Sequence, residues 1–81
     1  MEKPWSKSVT IDLGGEAGTV TISNTTQASW VMIEDWPLDE APALDRALDI
    51  CSQVIEGRMK PEEARKAFIA AAMEAELPIG Q

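Results

Sequence analysis

With 81 residues, 44% of them hydrophobic, and only five glycines and five prolines, the chain has the composition of one small folded domain, which excludes disordered and collagen-like classes. Fourteen acidic side chains against seven basic ones leave a formal charge of −7, and this disfavours general binding to phosphate backbones or anionic lipid. No run approaches the roughly 18 apolar residues of a membrane span. One cysteine cannot form an internal disulfide and the opening MEKPWSKSV holds no apolar leader, so a cytoplasmic location is expected.

From Trp5 to Leu13 the side chains alternate, with Val9, Ile11 and Leu13 on one side and Ser8, Thr10 and Asp12 on the other, which predicts a strand. Gly14 to Gly18 supplies a permissive reversal, and Thr19 to Ser23 resumes the alternation with Val20 and Ile22 inward. The result is an antiparallel hairpin over about 5–23. Two strands alone are marginal in water, so this pair must lie on helices or extend its sheet across a subunit boundary.

Asn24, with Gln27 three places on, has the form of a helix start, and Pro37 ends that helix near residue 35. On it Ala28, Val31, Met32 and Trp36 make one stripe, while Trp30 and Ile33 fall on a separate flank. The stretch ALDRALDICSQVIEG from Ala43 to Gly57 places Ala43, Leu44, Ala47, Leu48, Ile50, Cys51, Val54 and Ile55 in one arc of roughly 160°. A second helix over about 42–56 follows, with Asp39 and Glu40 near its positive end and Gly57 as its C-terminal cap. Pro61, Glu62 and Glu63 open a third helix, about 61–76, whose face of Ala64, Phe68, Ala71, Ala72 and Ala75 suits close packing on the second. Ile69 and Met73 lie on another flank, over which Leu77, Pro78 and Ile79 are expected to fold back. The fold class that results is α+β, a single domain with an N-terminal two-stranded antiparallel hairpin followed by three α-helices.

Trp36-Pro37, then Pro42, Ala47, Cys51 and Gly57, then PEEARKAFIAAAMEA from Pro61 to Ala75, form an ordered set that resembles a family of small bacterial proteins catalogued as domain of unknown function 982. The resemblance runs from about Val20 to Ala75. Two positions depart from it: Ala41 stands where a glycine is expected before Pro42, and Trp30 stands where a polar residue is more usual. The resemblance implies a fold and no chemistry.

The chain has no histidine and no tyrosine, so the usual acid–base groups are missing and catalysis is not expected. Cys51 falls mid-stripe on the second helix, where a thiol acts as a small hydrophobe. Glu34, Asp35, Asp39 and Glu40 could face a hard cation, but their spacing matches no calcium loop and they read as a solvated acidic surface. No cofactor, metal or small-molecule ligand is expected. Gly14 to Gly18 is followed by a strand rather than a helix, so it is a turn and not a phosphate loop.

Arg58, Lys60, Arg65 and Lys66 cluster around the start of the third helix, in a helix–turn–helix-like setting that makes a nucleic-acid-binding regulator the alternative function. Glu62 and Glu63 argue for ordinary intrahelical pairing there instead. Trp30 with Ile33, and Ile69 with Met73, are the candidate interface; either the hairpin covers them or they meet another molecule. The functional expectation is a non-catalytic interaction or regulatory module that self-associates, as a homodimer, or docks on another protein.

Overall fold

The structure is a computed structural model and describes residues 3–80. Strands β1 (Val9–Asp12) and β2 (Thr19–Ile22) form the expected hairpin, and helices α1 (Thr25–Glu34), α2 (Pro42–Ile55) and α3 (Pro61–Glu74) follow in order. The α+β class and the ββααα order hold. One element is added: β3 (Ile79–Gly80) pairs antiparallel with β1, giving a three-stranded sheet in the order β2-β1-β3.

The hairpin register opposes Val9 to Ile22 and Ile11 to Val20, which keeps Val9, Ile11 and Ile22 on one inward face. Its turn is held by the Asp12 carboxylate, which accepts the Gly14 N–H at 2.9 Å, and by the Leu13 N–H to Gly18 carbonyl bond at 2.9 Å. Leu77, Pro78 and Ile79 were expected over Ile69 and Met73. Instead, Leu77 closes α3 through its N–H to the Ala72 carbonyl, and Pro78 and Ile79 run along β1, where the Asp12 N–H donates to the Pro78 carbonyl at 3.1 Å and Ile79 pairs with Ile11. The physical reason is that an extended β1 edge offers unpaired backbone groups, a stronger claim on a short tail than an exposed methionine.

Helix α1 starts as the sequence predicts. The Asn24 side chain accepts the Gln27 N–H at 2.8 Å, and the Gln27 side chain reaches back to the Ser23 N–H at 2.7 Å, one residue earlier than the usual reciprocal box. Helix α2 has no side-chain cap from its own Ala41. Its cap comes from the far end of α3, whose Glu74 carboxylate accepts the N–H groups of Ala43 (3.0 Å) and Leu44 (3.2 Å). That contact requires α2 and α3 to run antiparallel. Gly57, at φ +83°, closes α2: its own N–H bonds to the Val54 carbonyl and the Arg58 N–H to the Gln53 carbonyl.

Phe68, the one phenylalanine in the chain, is fully buried between two tryptophans. Trp5 lies 5.7 Å away, centroid to centroid, and Trp36 lies 5.6 Å away, both tilted. Such tilted pairs add about 0.5–1.5 kcal/mol each beyond area burial. The Trp5 indole N–H donates to Thr25 Oγ1 at 3.1 Å, and its backbone N–H to the Ser23 carbonyl at 2.7 Å, so the N-terminal segment is tied to the junction of β2 and α1. Below the aromatic trio, Ala47, Cys51, Ala64, Ala71 and Ala72 are all fully buried, and the small side chains let α2 and α3 approach closely.

Candidate interaction surface

Helix α1 presents Thr25, Ala28 and Met32 to the core. At 100° per residue, Thr26, Trp30 and Ile33 then fall within an arc of roughly 60° turned the opposite way. Trp30 is 59% exposed and Ile33 is 66% exposed. The hairpin does not cover this flank. Its inward residues Val9, Ile11 and Ile22 belong instead to the core cluster with Phe68. The outward face of α1 is also sparsely charged: in TTQASWVMIE only the last residue, Glu34, is ionic.

The second proposed pair divides. Ile69 is half-buried and packs against the core, while Met73 is 67% exposed. Trp30, Ile33, Ile69 and Met73 line neither the cavity at the α2–α3 connection, nor the α2–α3 seam, nor the groove beside β3. The structure therefore presents a two-residue apolar flank on α1 and a lone methionine on α3.

The basic residues of the α3 entry are dispersed. Arg65 is buried, donating from Nε to the Lys7 carbonyl at 3.0 Å and lying 3.6 Å from Glu62, so it fastens α3 to the segment before β1. Arg58 stays exposed, 3.9 Å from Glu56. Lys66 lines the seam between α2 and α3 together with Arg46, Glu63 and Glu74, a mixture of both signs. Lys60 lines a different cavity, at the α2–α3 connection. Four cations adjacent in sequence thus face four environments.

Cys51 is fully buried. Among the described residues no three histidine, cysteine or carboxylate side chains come together in a way that could hold a metal ion, and no helix is long and apolar enough to cross a membrane. Sequence reasoning missed Glu74 as the cap of α2 and Arg65 as a buried tie; each acts on a partner at least 30 positions away, which no local pattern signals.

Residues 7–79 match the family described as protein of unknown function (DUF982). No curated protein and no solved structure matches the chain.

Proposed function

We propose that this chain, which belongs to the DUF982 family, is a non-catalytic interaction module that pairs with a second copy of itself through the outward face of α1. The observation that carries the reading is the exposure of Trp30 and Ile33, one turn apart, on a helix whose other side is committed to the core. Tryptophan supplies more binding energy per residue than almost any other side chain when its ring is desolvated, and an adjacent isoleucine extends the dry patch.

A second copy fits this face because of charge. Two bodies of formal charge −7 repel each other, and that repulsion is least where the contact surface carries fewest carboxylates. Helices α2 and α3 carry several ionic residues each, whereas α1 carries Glu34 alone. The absence of histidine and tyrosine from the sequence, and the full burial of Cys51, support the non-catalytic half of the proposal.

Light scattering on the purified chain tests it. The expected mass is twice that of one chain, falling to that of one chain in the double variant Trp30→Ser with Ile33→Ser, with an unchanged helical circular-dichroism signal. A monomeric parent, or a variant that keeps the parent's mass, removes the assignment.

A further inference from the structure

The connection between α2 and α3 frames a cavity of about 480 Å³, a size within the range of small-ligand sites. Its walls come from elements far apart in sequence. Thr26 enters from the first turn of α1, Val54 and Ile55 from the last turn of α2, and Met59 from the connection itself. Two lysines complete the lining, Lys60 just before α3 and Lys3 from the N-terminal segment. Among the described residues the only hydroxyl in the lining is that of Thr26, and none of them brings a carboxylate to it.

That last feature runs against the composition. Acidic residues outnumber basic ones two to one in this chain, yet the described residues of this cavity's lining include two cations and no acid. Among the described residues neither ammonium has a carboxylate within salt-bridge distance, as is true of Lys7 and Lys66 as well. Lys3 and Lys60 are exposed and share the lining with Val54, Ile55 and Met59, an apolar floor along which lysine stems lie while their ammonium groups stay in water. Ile55, 54% exposed, belongs to that floor and leaves it open to a ligand.

We infer that this cavity binds a small amphiphilic anion, an apolar chain or ring lying against Val54, Ile55 and Met59 with its charged head between Lys3 and Lys60. Neither Trp30 nor Ile33, the two residues assigned to self-association, lines the site, which borders their flank of α1 at Thr26. A ligand class follows from the two halves of the lining: the floor rejects a fully hydrated anion, and the lysine pair prefers a carboxylate to a neutral polar head.

Octanoate and octanol are the probes, followed by backbone amide chemical shifts on the full chain. Octanoate is expected to bind saturably, with shifts concentrated at Thr26, Gly57 and Lys60, and octanol to bind about tenfold more weakly, the difference that two exposed ammonium–carboxylate pairs supply. The variant Lys3→Gln with Lys60→Gln is expected to bring octanoate down to the affinity of octanol while leaving the spectrum otherwise folded. The Trp30→Ser, Ile33→Ser variant should bind octanoate as the parent does. Equal affinity for the acid and the alcohol, shifts centred on Trp30 and Ile33, or no saturation by octanoate would each overturn the inference.

Discussion

Glu76 holds a left-handed backbone conformation, φ +58°, at the point where α3 hands over to β3. Its N–H bonds to the Met73 carbonyl and the N–H of Leu77 to the Ala72 carbonyl, at 3.1 and 3.0 Å, which is the same pair of closing bonds that Gly57 makes possible at the end of α2. A side chain in that conformation costs about 1–2 kcal/mol, while glycine gives back roughly 0.5–1 kcal/mol through its looser unfolded chain. Glu76→Gly is therefore expected to raise stability by about 0.5–1 kcal/mol, read as a higher urea midpoint at constant slope. A lower midpoint would mean that the Glu76 side chain contributes more than its backbone costs. The contrast also marks what single residues reveal in advance. Gly57 is legible as a cap because glycine after an apolar-periodic run has one common meaning, whereas a glutamate in the same role carries no such signature.

Helix α2 illustrates the same limit one level up. Its apolar arc is plain in the sequence, and Leu44, Ala47, Cys51 and Val54 are buried as that arc requires. Its N-terminal cap is not, because Ala41 contributes none and the carboxylate that does is thirty positions away on α3. Asp39 and Glu40, the nearer acids, are both exposed. Glu74 accepts two N–H groups that would otherwise be orphaned at the helix start, a charge-assisted arrangement, so Glu74→Ala is expected to cost about 1–2 kcal/mol. Glu74→Gln keeps one oxygen acceptor and should lose less; thermal melts of the two variants that coincide with the parent would show that α2 caps itself. Strand β3 was hidden for a related reason. A two-residue strand has no periodicity, and its pairing of Ile79 with Ile11 joins the two ends of the chain. Local signals, the Asn24 cap, the hairpin turn and Pro61 among them, were legible; long-range ones were not. The site divides along the same line, for the separate flank of Trp30 and Ile33 follows from a helical wheel, while its exposure depends on where the hairpin packs and the burial of Arg65 on where the Lys7 carbonyl sits.

At the scale of the molecule, the Cα radius of gyration of 11.4 Å is close to the roughly 11.7 Å that a compact domain of this length shows. The core of Trp5, Phe68 and the α2–α3 alanines closes within one chain, so the proposed second copy would add to a fold that already stands. Its effect on stability is then one of mass action. If two chains separate as they unfold, each tenfold rise in concentration stabilises the dimer by about 1.4 kcal/mol, half of that per chain, and a domain of this size responds with roughly 3–6 °C in Tm. Melts over a hundredfold range of concentration are expected to show that slope for the parent and none for Trp30→Ser with Ile33→Ser, whose Tm should equal the parent's low-concentration limit. A parent Tm that does not move with concentration would mean that the exposed tryptophan faces water, or some other molecule, and not a copy of itself.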